Sequence, residues 1–213
     1  MSDVWSERAE AYAESDTHRE GRDLELLISW AEGKTALDVA TGGGHVARRL
    51  REEGFQVTTL DPAPGMRADV LASAEDIPFA NGSFDTVATR IAPHHFSDIR
   101  AAIVEMARVA RRVVLIEDTL YDSEEVEEAE RLHDPTHVRS YSEQEWRSFL
   151  ESAGLGVEEV ELQEKRRDFD AWCERTGCTG LERDRARELL GNRIDEQGGY
   201  TDTKILIRAR KAA

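Results

Sequence analysis

Cysteine is nearly absent from the 213 residues: Cys173 and Cys178 are too few for a disulfide framework or, alone, for a zinc site. Lysine is scarce too, with Lys34, Lys165, Lys204 and Lys211 the four among 28 cationic side chains. Apolar runs stop at about half of the ~20 residues a bilayer-spanning helix requires, which argues against a transmembrane helix. The acidic N-terminal stretch has no apolar core of a secretory signal, so a cytoplasmic protein without a membrane partner is expected. No repeat, low-complexity tract or Pro/Ser-rich linker interrupts the chain, which predicts a single domain over 1–213. Cations are outweighed, leaving a net charge of −16, and this disfavours a general nucleic-acid partner, whose affinity comes from neutralising phosphates. Carboxylate excess with arginine in place of lysine suits high salt; it equally suits a GC-rich genome. Nothing in the pattern sets an oligomeric state.

What is present is a regular alternation. Residues 5–31 read as helices, dense in Leu24, Leu26, Leu27, Ile28 and Trp30 and closed by Gly33. A buried strand is predicted over Thr35–Thr41, a helix over His45–Glu53 with Val46, Ala47 and Leu50 on one face, and a second strand over Phe55–Leu60. Strands over Phe84–Arg90 and Arg111–Asp118 flank a helix over Ser97–Ala110. Ser123 opens an acidic helix to His133, and Ser142-x-x-Glu145 is a capping box for a helix ending at Gly154. The tail carries a strand near Leu155–Leu162, one or two helices, and a last strand over Tyr200–Arg208. Strands alternating with helices give an α/β fold with a mostly parallel sheet covered on both faces. Only Pro62–Ala68 separates Asp61 from the strand-like Asp69–Leu71. A parallel crossover usually takes about a dozen residues, so the second crossover helix should be shortened or absent and the third strand short or edge-like.

The chemistry concentrates where the first strand runs into Gly42, Gly43 and Gly44 and turns directly into a helix. Such a turn brings bare backbone amides and the positive end of a helix against a ligand, and Asp61, ending the second strand, can accept ribose hydroxyls. Gly42-x-Gly44-x-x-Ala47 also satisfies the weak dinucleotide fingerprint G-x-G-x-x-G/A. Asp38 separates the options: a carboxylate repels a pyrophosphate but attracts an α-ammonium group. S-adenosylmethionine, with a ribose and an amino-acid end, fits Asp38 and Asp61 together. A plain structural role for Asp38, capping the turn, stays open.

These residues resemble a known family. Asp38-Val39-Ala40-Thr41-Gly42-Gly43-Gly44 is similar to the D-x-G-x-G-x-G motif of class I S-adenosylmethionine-dependent methyltransferases, departing at Ala40, where the family usually has glycine. Ala74-Glu75-Asp76-Ile77-Pro78-Phe79 resembles its D-A-E-x-L-P-F segment, and Phe84-Asp85-x-Val87 its F-D-x-V strand. Arg90-x-Ala92-x-His94-His95-Phe96 resembles a small-molecule branch related to the quinone C-methyltransferases. So do Asp134-Pro135-x-His137-x-Arg139 with Ser142-x-x-Glu145-Trp146, and Ala11-Tyr12, Ser15, His18 and Gly21-x-Asp23-Leu24 at the front.

The resemblance implies a three-layer Rossmann-like fold with a seven-stranded sheet, its last strand antiparallel and beside the sixth. It implies an N-terminal helical lid over 1–33 and a helical insertion over the substrate side at 119–154. S-adenosylmethionine would be held by Asp38, Ala40, Thr41, Gly42, Gly44, Asp61, Pro62, Ser73, Ala74, Glu75 and Arg90, with the neutral Ser73 standing where the family usually has an aspartate for the adenine. His94 and His95, on a loop after a strand end, are the candidate bases. Tyr12, His18, Asp134, His137 and Arg139 are candidates for a small-molecule methyl acceptor. No metal is expected, because adjacent histidines on one strand point apart. The competing functions are a nucleotide-binding domain without catalysis, which the short crossover and Ser73 suggest, and an NAD(P)-dependent oxidoreductase.

Overall fold

The computed structural model describes residues 4–6 and 20–211. Of the expected lid, Tyr12 and His18 lie outside the described residues. Helix α1 (Arg22–Ser29) leads to β1 (Thr35–Val39), α2 (His45–Glu52), β2 (Gln56–Asp61), β3 (Val70–Leu71) and β4 (Phe84–Arg90). Then come α3 (Ile99–Val109), β5 (Ala110–Thr119), α4 (Glu124–His133), α5 (Glu143–Ser152), β6 (Leu155–Asp168), α6 (Phe169–Thr176), α7 (Gly180–Leu190) and β7 (Gly199–Lys211). Among the described residues the strands form one seven-stranded sheet, ordered β3-β2-β1-β4-β5-β7-β6. Neighbours from β3 to β5 are parallel, and β7 runs antiparallel between β5 and β6. The fold is the three-layer α/β arrangement that the alternation of elements predicts.

Period-two side-chain alternation divides the core. Ala36, Ala88, Val113, Leu115 and Leu206 face Leu24, Leu27, Val46 and Leu50 of α1 and α2. Leu37, Val87, Val114, Ile116 and Ile207 face Ile103, Met106, Trp146, Phe149 and Leu150 of α3 and α5. Local signals start the helices where expected: Asp98 accepts from the amides of Arg100 and Ala101, Ser123 from Val126, and the Ser142/Glu145 capping box is complete.

Between β2 and β3 the chain makes only a single 3-10 turn, Pro64–Met66, and β3 pairs β2 alone at the sheet edge, with Leu71 63% exposed. At the opposite edge both last strands are longer than the sequence suggests: β6 and β7 pair from Leu155↔Lys211 to Asp168↔Gly199, with one register shift between Val157 and Glu159. Charged side chains alternate along that ribbon because one face is solvated, and such a pattern carries little strand signal. The ribbon's far end carries α6 and α7, which pack with α4 around Val126, Ala129, Phe169, Trp172 and Ala186. The 119–154 segment therefore divides: α4 joins this cap, whereas α5 lies on the sheet. Cys173 and Cys178 are buried in the cap, where desolvation pushes the Cys173 thiol up to about 12.

Ile103 is fully buried between α3 and the sheet, so Ile103→Ala should cost about 2–5 kcal/mol. Leu71→Ala, on the exposed edge, should stay within about 0.5 kcal/mol. Urea unfolding midpoints of the two variants check this; similar losses at both positions would contradict the peripheral role of β3.

Candidate active site

Two cavities meet at the carboxyl ends of the parallel strands. The larger, about 270 Å³, is walled by the turn after β1, the end of β2, the 73–75 loop and the chain after β4. Its floor is made by the turn Ala40–Gly44, fastened to β2 where the Thr41 amide donates to the Leu60 carbonyl at 3.1 Å. Gly42 and Gly44 take φ of 49° and 74°, and a Cβ at either would meet no protein atom within 4 Å. The glycines thus serve left-handed backbone and leave open space above it. Ala40 also sits at φ 54°, which explains why glycine suits this position in relatives; alanine there carries strain of about 1–2 kcal/mol.

Two buried carboxylates hold the turn. Asp38 Oδ2 accepts from the Thr41 hydroxyl at 2.6 Å and from the Ala47 amide at 3.1 Å. Asp61 accepts from the amides of Gly42 at 3.0 Å and Ala63 at 2.9 Å. Burial pushes the Asp38 carboxyl up to about 6, against the hydrogen bonds from Thr41 and Ala47. Asp38 therefore caps the turn and is also a cavity-wall carboxylate short of positive charge, the environment an incoming ammonium group would relieve.

The remaining wall is cross-braced. Glu75 accepts from the amides of Ser97 and Asp98 and from the Ser97 hydroxyl, tying the loop to the start of α3, and the Ser73 hydroxyl donates to it. Arg90 is buried, donating to Glu117 at 2.5 Å and to Asp23 of α1 at 2.6 Å, and Lys165 reaches Asp23 at 3.2 Å. Burial favours the neutral form of both acids. It prevails at Glu117, pushed up to about 7 against the pull of Arg90. At Asp23 it is overcome by the positive charge of Arg90, by a hydrogen bond from Glu117 and by Lys165, so the carboxyl lies far below the ordinary range. The next residue, Ile91, has φ 50°, rare for a β-branched residue and held by its amide's bond to the Glu117 carbonyl at 2.8 Å. Ile91 lines both cavities.

The smaller cavity, about 40 Å³, lies on the other side of Ile91 and His95, between α4, the ribbon and α6. The rings of His94 and His95 are 4.0 Å apart and those of His94 and His137 5.4 Å. His94 Nδ1 lies 2.5 Å from buried Asp118, and His95 Nδ1 lies 3.1 Å from the Thr136 carbonyl. A carbonyl only accepts, so His95 Nδ1 carries the proton and its Nε2 holds the lone pair. Burial, reinforced by the neighbouring His94, holds the His95 imidazole well below its ordinary pKa and hence neutral. His137 is buried against Glu127 at 3.1 Å; desolvation would lower its pKa, but the Glu127 hydrogen bond and carboxylate charge raise it.

Of the residues expected to hold the cofactor, Asp38, Ala40, Thr41, Gly42, Asp61, Pro62, Ser73, Ala74, Glu75 and Arg90 line the larger cavity; Gly44 does not, and Gly43 takes its place. Gly44 is the left-handed N-cap of α2. His95 lines both cavities, while His94, Asp134 and His137 line the smaller. Arg139 is not brought to either: it pairs with Glu145 at 2.9 Å on the surface. Sequence reasoning missed Trp5, Met66, Ile91 and Phe96 in the larger cavity, and Glu130, His133, Arg167, Trp172, Asp202 and Lys204 in the smaller. Lys204 had one visible signal, a lysine in a lysine-poor chain directly before the apolar run Ile205-Leu206-Ile207. Among the described residues no group of three or more His, Cys, Asp or Glu is arranged to hold a metal, and no helix is long and apolar enough to cross a membrane.

A seven-stranded sheet with its last strand antiparallel, a glycine turn after β1 and an acid after β2 define a class I S-adenosylmethionine-dependent methyltransferase. Residues 37–115 match the methyltransferase domain family Methyltransf_11. The chain is 31% identical to the uncharacterized methyltransferase YcgJ of Bacillus subtilis over 87% of its own length and 82% of that protein's. The crystal structure of YcgJ superposes with a TM-score of 0.81 at 26% identity, covering 90% of this chain and 98% of that one. The uncharacterized protein YafE of Escherichia coli is 30% identical over 66% of this chain and 75% of its own. The demethylmenaquinone methyltransferase of Beutenbergia cavernae is 34% identical over 37% of each chain. The protein belongs to the methyltransferase family that it shares with YcgJ.

A carboxyl raised in the folded state binds a proton that the unfolded chain has released, so Asp38 lowers stability as pH rises from about 4 to about 6. Asp38→Asn keeps an acceptor for Ala47 and removes the titration. The stability difference between wild type and variant should be constant below about pH 4 and shift toward the variant between about 4 and 6. Above that it should level off at a shift on the order of 2–3 kcal/mol. Thermal unfolding across this range measures it, and a difference flat in pH would show that the carboxylate is fully compensated.

Proposed function

We propose that the protein binds S-adenosylmethionine in the larger cavity and methylates a small molecule that enters from the smaller one. The carrying observation is that the two cavities share Ile91 and His95 as a common wall, with Asp38 and Asp61 lining one and His94, His133 and His137 lining the other. The residues fit the cofactor: Asp38 offers an under-compensated carboxylate to an ammonium group, Asp61 offers acceptor oxygens to ribose hydroxyls, and Ser73 offers its oxygen to an adenine amine. When bound, S-adenosylmethionine supplies a methyl group on a sulfonium, which an aligned nucleophile takes by in-line displacement.

The chain's own work is alignment and proton removal. His94 is the base in this reading. Its Nδ1 is oriented by Asp118, its Nε2 makes no hydrogen bond to a described residue, and the buried carboxylate stabilises the imidazolium that forms on taking a proton. His95, neutral and keyed to Thr136, fixes the wall and offers a second acceptor nitrogen. Arg90 holds α1 and the loop after β4 together, and Trp5 packs edge-on against His95 at 4.6 Å, closing the larger cavity.

Calorimetry should detect S-adenosylhomocysteine binding and none of NADH, and Asp61→Ala should weaken the former by about tenfold or more. Unchanged affinity in that variant removes the assigned pocket. His94→Ala should lower kcat by about 10²–10⁴-fold on whichever of a panel of phenols, quinone precursors and amines is turned over, with homocysteine-analogue affinity intact. Binding without turnover of any acceptor would instead favour a non-catalytic nucleotide-binding domain.

A further inference from the structure

The charged side chains around the smaller cavity are unequally satisfied. Asp202 accepts from both Lys204 at 2.9 Å and Arg167 at 2.8 Å, and Lys204 also donates to the Thr119 hydroxyl at 2.5 Å. Burial raises the Asp202 carboxyl, but the two cations overcome it and hold the pKa at about 2. Arg175 lies 3.4 Å from His133 Nε2. Asp134 accepts from the Thr136 amide and hydroxyl.

Glu130 is different. It projects from α4, between Glu127, which binds His137, and His133, and it lines the cavity. Its carboxylate makes no hydrogen bond and no close ion pair with any described residue. Arg167, Lys204 and His137 attract it only at longer range and Asp202 repels it; desolvation prevails and raises its pKa. Beside it on the cavity wall, the rings of Trp172 and His133 stack at 3.8 Å.

We propose that Glu130 anchors a protonated amine of the methyl acceptor, which makes the acceptor an amine-bearing small molecule. This rests on the methyl-transfer reading, because it names the occupant of the same acceptor cavity. An anionic group would face Glu130 and Asp134, and two of the three cations on the wall, Lys204 and Arg167, are already held by Asp202. An ammonium group instead supplies the hydrogen-bond donors that Glu130 lacks. A cavity of about 40 Å³ suits a primary ammonium head. Arg167 and Lys204, held by Asp202, then form the wall that sets the depth of the pocket.

Ethylammonium chloride and sodium acetate, both small enough for the cavity, test the assignment. Each is titrated into the protein with and without S-adenosylhomocysteine, and the imidazole NMR signals of His94, His133 and His137 are followed. Ethylammonium should give saturable shifts with at least about tenfold higher affinity than acetate. Glu130→Gln should lose about tenfold of that affinity while binding S-adenosylhomocysteine as the wild type does. Equal or stronger acetate binding, no saturable ethylammonium shift, or an unaltered affinity in Glu130→Gln would each overturn the proposal. The comparison of the two ions in the wild type decides even if the variant does not fold. Should S-adenosylhomocysteine fail to bind while ethylammonium still depends on Glu130, the amine site stands and the methyl-transfer reading falls; the reverse pattern separates them the other way.

Discussion

Two carboxylates, at the ends of adjacent parallel strands, accept the backbone amides of the turn that runs between them. Asp38 takes Ala47 from the first turn of α2, and Asp61 takes Gly42 and Ala63. These bonds orient the amides and the start of α2 around an open space instead of letting side chains fill it. Both acids are buried, and Asp38 is under-compensated, so the same contacts that shape the turn leave negative charge on a cavity wall. Structure and binding are one arrangement here: the charge that fixes the floor is the charge that favours a cationic group above it.

The rest of the site depends on how the chain leaves β4. Arg90 ends the strand inside an ionic cluster with Asp23, Glu117 and Lys165, which locks helix α1 to the strand ends. Ile91 then bends through a left-handed conformation, and the chain turns so that His94 and His95 face different surroundings. Strain of this kind persists only where neighbours over-determine it; the Arg90 cluster and the Ile91–Glu117 backbone bond do so. The outcome is a shared wall between the chamber that holds Asp38 and Asp61 and the one that holds His94, His133 and His137, with distinct tautomer constraints on His94 and His95. One is keyed to a carboxylate and the other to a carbonyl.

The second chamber has a separate origin. The β6–β7 ribbon runs beyond the sheet and brings α6 over α4, so that Arg167, Trp172, Asp202 and Lys204 converge on Glu130 and His133. Of its polar groups His133, Asp134, His137, Asp202 and Lys204 are buried and Glu130 is half-buried, beside the cap's own apolar core around Phe169 and Trp172. Low dielectric makes each pairing there count more and each missing partner cost more. That is why one carboxylate without a partner carries information about a ligand.

The sequence by itself determined the α/β alternation, the short edge at β3 and nearly the whole wall of the larger cavity. Those features are written in contiguous residues: a glycine turn, an acid at a strand end, a proline-broken crossover, a capping serine. Gly44 was the exception, because spacing does not say which glycine faces a cavity and which caps a helix. Only the tertiary structure decided the lining of the smaller cavity. Arg139, read as a ligand-facing arginine, turns to Glu145 at the surface, and Glu130, on the acidic helix that Ser123 opens, lines the smaller cavity. Helical spacing leaves that choice open until another element packs against the helix. Here the element is a ribbon and cap from the far end of the chain, and burial against them selected which acids and cations face one another.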